Sequence, residues 1–329
     1  IPSGRFARGM QALMGTFPQP NAPEGGALYN YTSQLPRDIP RREDIVRIDW
    51  QAGKANRVSA RYIHNKDEDV QPPGTTTAAF NFPLAASSIV RKNGPGDVFS
   101  LTVTHSFSPT LVNKFSYARS RGAVTISVVD DKFTRAANNI TTPLLFPDAN
   151  NGGAIPNFNY GGVTNQTFPT TGFNGSPFTQ TFSLDNFIDN LTKVWNKHTV
   201  KTGFYWQRSH NKRTSFGPIQ ANINFANDSN NPLNTGHPFA NALLGVYSSY
   251  EQASVQLTND FVYNNVEGYI QDTWKVTPRL SLDYGLRLSY YQPLYDLERQ
   301  LGLFDPALYD RSKAVRIYAP VCVGAPTCA

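Results

Sequence analysis

The sequence predicts an all-β chain, an antiparallel transmembrane β-barrel segment of about eight membrane strands with short turns at one end and long loops at the other. Three observations predict it. Apolar and polar residues alternate along segments of about ten residues, nowhere more clearly than in Leu280 to Tyr290, LSLDYGLRLSY. There Leu280, Leu282, Tyr284, Leu286 and Leu288 take one side and Ser281, Asp283 and Arg287 the other, so one face is expected toward lipid and the other toward a lumen. Short and long connections also alternate along the chain, and Trp50, Trp195 and Trp274 fall in or beside the short turns, where an interfacial aromatic belt belongs. A soluble sandwich with its greasy face toward a core is the competing architecture, and it has no reason to sort its loops by length.

Composition agrees. The 329 residues are 40% hydrophobic but only 16% charged, with 21 Phe and 16 Tyr against 4 Trp and 2 Met, and Gly and Pro are abundant. That is the mixture of many strands joined by turns. No window approaches a helical membrane span, which says nothing against strands that need only every second residue apolar. The net charge of +6 is spread without a basic stripe, so nucleic acid is not an expected partner.

Taken in order, the chain opens with a stretch, Arg5 to Phe17, whose spacing predicts a short amphipathic helix with Phe6, Met10, Leu13 and Phe17 on one side. Loop follows to Arg42. Ile45 to Trp50 and Asn56 to Asn65 form the first hairpin around Ala52 to Ala55. The connection from Lys66 to Asp97 carries Asp67, Glu68 and Asp69, expected as a solvated acidic tip, since a calcium loop would alternate its ligands around a glycine.

Val98 to Phe107 and Val112 to Val129 form the second hairpin, followed by a long connection from Asp130 to Pro177. Its Asn157 to Phe178 stretch sets neutral hydrogen-bonding groups beside aromatic rings. That mixture suits a sugar or peptide ligand, although an ordinary neutral surface loop shows the same composition. Thr179 to Val194 and His198 to Arg208 form the third hairpin. The third long connection, Ser209 to Val246, ends in HPFANALLG, a turn or two of helix, and Tyr247 to Asp260 is expected as an arm above the bilayer. Phe261 to Lys275 and the Leu280 strand close the fourth hairpin, and after Gln292 the chain reads as loop.

Cys322 and Cys328 lie six positions apart near the end of the chain. In an oxidising compartment that spacing suits a small disulfide-closed loop; two free thiols are the other reading. His64, His105, His198, His210 and His237 show no metal-ligand spacing, and no phosphate-binding glycine motif or nucleophile elbow occurs. Neither enzymatic chemistry nor a cofactor or metal is expected.

The segment GYIQDTWKVTPRLSLDYGLRLSYY, Gly268 to Tyr291, resembles the strand pairs of TonB-dependent outer-membrane receptors. The phrases IPSGRF, FPQPN, DIVRIDWQ, RVSARY, NKHTVKTGFYWQR, TGHPFANALLG and FDPALYDRSKAVRIYAPVC, in that order, are similar to the Oar-like subgroup, which carries a carboxypeptidase-regulatory-like domain. The resemblance implies a barrel of about 22 strands, closed by a plug and energised through a TonB complex. It also implies a ligand too large for porins caught by extracellular loops, in the outer membrane of a Gram-negative cell. No plug, TonB-contacting segment or leader is recognisable, so residues 1–329 are expected to be part of the receptor barrel domain, with plug and signal peptide absent and outer-membrane lipid as a partner. A secreted or surface all-β carbohydrate-binding module is the alternative.

Overall fold

The computed structural model describes residues 1–15, 17, 19–21, 31–32, 34, 36–71, 90–128, 134–150, 153–163, 178–215 and 217–314. Cys322 and Cys328 lie outside the described residues.

Long antiparallel strands dominate. They are β1 (Arg41–Ala52), β2 (Asn56–Gln71), β3 (Val90–Asn93), β4 (Gly96–Ser108) and β5 (Leu111–Val128). After the short β6 (Asn157–Asn159) come β7 (Phe178–Trp195) and β8 (His198–Thr214). The short β9 (Asn222–Asn224) and β10 (Ser249–Glu251) precede β11 (Thr258–Thr277), β12 (Leu280–Tyr291) and β13 (Tyr295–Asp296).

Each hairpin partner lies beside its neighbour in sequence, giving the order β1, β2, β3 with β4, β5, β7, β8, β11, β12. Two of the eight positions are interrupted strands. β3 and β4 both lie between β2 and β5, and β12 and β13 both pair with β11. Gly94-Pro95 separates the first pair and Pro293 lies in the gap of the second, because a proline has no backbone donor for the ladder. β1 and β12 are the edges; among the described residues no pairing joins them, so the sheet is not closed.

The turns obey local chemistry. Gly53 takes φ 73° between β1 and β2, and Asn196 takes φ 54° between β7 and β8, a left-handed conformation Asn tolerates better than most residues.

The four hairpins and their order stand where the periodicity put them, but the strands run further. β2 continues to Gln71 and β8 to Thr214. The acidic triplet therefore belongs to a strand, and Asp69 is buried, bound through both oxygens by Arg37 Nε at 2.9 Å and Nη2 at 2.6 Å. A solvated tip is the wrong description of it.

The long connections also differ from the expectation of irregular loop. β6 runs parallel to β9 and β9 antiparallel to β10, forming a separate three-stranded sheet. Against it pack the short helices α1 (Met10–Met14) and α2 (Pro238–Leu244). Met10, Ile140, Ile155, Phe158, Ile223, Phe225 and Ala242 form one buried cluster there. The opening helix is shorter than its spacing predicts because Gly9 sits at φ 79° just before it. This three-stranded sheet with its two helices is the cap; Met10 on α1 and Phe17 just beyond α1 both face it, Phe17 packing on Tyr160 and Phe239. Tyr247 to Asp260 is divided between β10 and the start of β11, and β13 gives the segment after Gln292 a strand of its own.

Beneath the cap the main sheet has almost no core. All twelve residues of β12 are exposed, Leu286 at 63% and Leu288 at 69%. Val46, Ile48, Trp50, Phe204 and Ile270 are exposed too. No helix among the described residues is long and apolar enough to cross a membrane, which leaves crossing by strands open.

Candidate functional site

Directly opposed residues of an antiparallel pair share a face, so register extends the two sides of β12 across the sheet. On the apolar side Leu282 opposes Trp274, Leu286 opposes Ile270, and Leu288 opposes Gly268, which in turn opposes Phe204. The side continues through Phe187 opposite Trp206, Tyr117 opposite Leu101 and Ile48 opposite Ala60. Leu280 and Tyr284 lie on the same side, although Tyr284 Oη donates to Asp272 at 2.8 Å and so shares that face with a carboxylate.

On the polar side Ser281 opposes Lys275, Asp283 opposes Thr273, and Arg287 opposes Tyr269. Thr273 Oγ1 donates to Asp283 at 2.5 Å, and Arg287 Nη1 donates to Glu267 at 2.6 Å. The guanidinium of Arg287 also stands 5.0 Å from the Tyr269 ring centroid. Ser281, Asp283 and Arg287 thus share one face, but each is held by a neighbour on β11 or lies beside one.

The rest of the polar wall went unread in the sequence. Tyr205 Oη and Gln207 Nε2 both donate to Asn186 Oδ1, at 2.9 and 3.1 Å, and Asn265 Nδ2 donates to Gln207 at 2.7 Å. Tyr269 Oη donates to Asn190 at 2.7 Å. These bonds link β7, β8 and β11 side to side. A usable signal was present: Asn is depleted in strands, yet it recurs here, with Gln, at positions alternating with Phe, Leu and Trp. Naming the partners required the register. These side chains present a polar surface held by its own hydrogen bonds. Among the described residues no group of three His, Cys, Asp or Glu stands ready for a metal.

Gly203 is where this wall is tightest. A Cβ there would come within 2.4 Å of the Tyr269 ring, 2.6 Å of Asn190 Oδ1 and 2.9 Å of the Asp189 carbonyl. Gly203→Ala is therefore expected to lower unfolding free energy by about 1–3 kcal/mol, the usual cost of overpacking. Adding Tyr269→Ala removes the ring that collides, so the double variant should lose less than the sum of the two single ones. A denaturant titration of the four-member cycle, followed by tryptophan fluorescence, checks this; strict additivity would contradict the contact.

Next to the long-loop end, Asp296 ties β13 to β11. It is 7% exposed and accepts from Asn259 Nδ2 at 2.9 Å and the Asp260 amide at 2.8 Å. The Glu298 and Gln300 amides also donate to it, each at 3.1 Å. Burial acts to raise its pKa, but the four donors outweigh burial and hold the carboxyl below the usual aspartate range. A depressed pKa gives stability that is complete above the unfolded value, about 4, and is lost as pH falls through the folded value. Amide protection of residues 297–300, corrected for intrinsic exchange, should stay level down to about pH 4 and then fall. In Asp296→Asn that protection should be low at every pH; unchanged protection would show that the carboxylate does not hold the segment.

In the described part of the Asn157 to Phe178 stretch, Phe158 and Phe178 are buried rather than offered to a ligand. Phe158 is 0% exposed and stacks on Phe225 with centroids 5.6 Å apart. Residues 164–177 of that stretch lie outside the described residues.

The chain matches the family model described as "Outer membrane beta barrel domain" over residues 1–326. No curated protein matches it. Among solved structures it is similar to FpvA of P. aeruginosa bound to heterologous pyoverdines, with 11% identity and a TM-score of 0.44, over 79% of this chain and 31% of that one. It is similar to the outer membrane transporter YddB of Escherichia coli at 8% identity and a TM-score of 0.41, over 79% and 29%. For the ferric-catecholate import receptor Fiu of E. coli K12 the values are 15% and 0.42, over 77% and 37%. The chain spans about a third of the solved structures it matches.

Proposed function

The chain belongs to the outer membrane β-barrel domain family and is located in the cell outer membrane, and from that premise we propose that its sheet is a wall segment of a TonB-dependent receptor. In this reading the wall helps import a ligand too large for porins. The observation that carries the reading is the sheet itself, with exposed apolar residues along one face and a hydrogen-bonded polar network on the other.

A contiguous apolar surface of that extent is untenable in water. Against acyl chains it is the stable arrangement, with Leu280, Leu282, Tyr284, Leu286 and Leu288 toward lipid and Ser281, Asp283 and Arg287 toward the lumen. In hydrocarbon the unpaired edges of β1 and β12 are costly, so they would pair with further strands of a larger barrel. β11 has 20 residues, against the 9–11 or so that a tilted strand needs to cross. The surplus would lift the cap clear of the bilayer, on the external side, with the short turns in the periplasm.

The Oar-like assignment and the TonB partnership rest on the ordered phrases quoted above, Gly268 to Tyr291 foremost. The polar wall would face a plug, and the cap would meet the extracellular ligand.

The full-length product is expected in the outer-membrane fraction, extracted only by detergent, and running at a different apparent mass when unheated. It should also cross-link to TonB in cells. A soluble, monodisperse product would overturn the barrel placement, whereas a membrane barrel that never contacts TonB would overturn only the receptor class.

A further inference from the structure

The apolar face does not stay apolar along the whole length of the strands. Moving toward the cap, Tyr62 gives way to His64, Phe99 to Asp97, Tyr117 to Arg119 and Arg121, Phe187 to Asp185, and Trp206 to Arg208 and His210. Register sets these changes side by side: His64 opposes Asp97, Asp97 opposes Arg121, Arg121 opposes Ser183, and Ser183 opposes His210. The result is a charged belt above the apolar band, on the same face.

Its acids are already matched. Tyr62 Oη donates to Asp97 at 2.6 Å, with His64 Nδ1 at 2.8 Å from the same oxygen. Tyr117 Oη donates to Asp185 at 2.8 Å and Arg119 Nε lies 3.6 Å from it. His210 pairs with Asp260. Tyrosines at the top of the greasy band thus point their hydroxyls up into the charges, as amphipathic rings at a membrane interface do. Three exposed cations, Arg121, Arg208 and Lys212, form no ion pair among the described residues. Two of them, Arg121 and Lys212, line one concavity of about 360 Å³, together with Arg119, Ser183, His210 and the carboxylate of Asp97, which Tyr62 and His64 already hold.

We propose that this concavity binds the phosphate-bearing headgroup of a lipid in the outer leaflet. The inference rests on the membrane placement proposed above. Cations outside ion pairs recognise phosphate, and the register places the site above the apolar band on the same face. An occupant anchored there has its charge beside Arg121 and Lys212 and its acyl chains along Phe99, Tyr117 and Phe187. A soluble anion would gain nothing from that lower surface; a lipid fits both parts.

The test uses the full-length protein reconstituted in phosphatidylethanolamine vesicles containing either diphosphoryl lipid A or its dephosphorylated form. Lipid retained per protein is read by native mass spectrometry. The wild type should retain the diphosphoryl form preferentially, and Arg121→Gln with Lys212→Gln should reduce that preference by about fivefold for each cation removed. Lys201→Gln, a cation on the opposite face, should leave it unchanged. Equal retention of the two lipids, or an unaltered preference in the double variant, would overturn the proposal. So would equal displacement by free inorganic phosphate, which would make the site an anion site rather than a lipid site. Failure of the protein to enter vesicles at all is a different outcome, because it removes the membrane placement and this inference falls with it.

Discussion

Leu286→Arg is expected to destabilise the folded protein in lipid by about 2–4 kcal/mol, the depth-dependent cost of a basic residue on the lipid face of a barrel. The side chain is 63% exposed and its cross-strand neighbour on the same face is Ile270, itself exposed. In water such a site is permissive, and an exposed substitution of this kind falls within about ±0.5 kcal/mol. The two solvents therefore predict different outcomes for the same substitution. Arg287→Leu, one position along and facing the other way, removes the Glu267 ion pair and the contact with the Tyr269 ring. It should leave membrane insertion intact. Reversible folding into lipid vesicles, titrated with denaturant, measures both; a neutral Leu286→Arg would show that this face does not meet hydrocarbon.

Phe225→Ala should cost about 3–5 kcal/mol of local stability, the typical range for a buried phenylalanine, and that cost should fall on the cap alone. Phe225 is 1% exposed and stacks on both Phe158 and Tyr160. Among the described residues it stands in a cluster of seven buried ones, so its removal takes a large share of what holds β6, β9 and β10 together. The main sheet depends on its ladder bonds and on the medium around it. Hydrogen exchange should therefore accelerate across residues 134–163 and 217–257 while β5, β7, β8 and β11 keep their protection. Uniform loss of protection throughout the chain would mean that cap and sheet unfold as one unit. Under the proposed function, in which the cap meets the external ligand, the same variant should weaken capture without reducing the amount of protein in the membrane.

The sheet was legible in the sequence because its logic is local. Leu280 to Tyr290 announces both faces through a period of two, and Trp195-Asn196-Lys197 announces a turn within three residues. The cap was not legible, because its contacts join Met10 to Ile140, Phe158, Ile223 and Ala242, positions scattered over most of the chain with no shared period. The strand ends were misjudged for a related reason. Above the charged boundary, sequences such as Ser209 to Thr214 have the polar composition of loop, yet Asp260 and its neighbours on β11 continue the ladder opposite them. The burial of Asp69 is invisible locally because its partner, Arg37, lies 32 positions away. The polar wall lay between. Its residues were visible, but the pairing of Tyr269 with both Asn190 and Gly203 depends on a register that no single strand encodes.

Nitroxide labels placed one at a time from position 282 to position 289 in the vesicle-reconstituted protein test the two-faced sheet most directly, through their collision rates with oxygen and with a water-soluble nickel complex. The prediction is a strict alternation, oxygen favoured at 282, 284, 286 and 288 and the nickel complex favoured at 283, 285, 287 and 289. A flat profile, or one in which the even positions are shielded from both reagents, would contradict it.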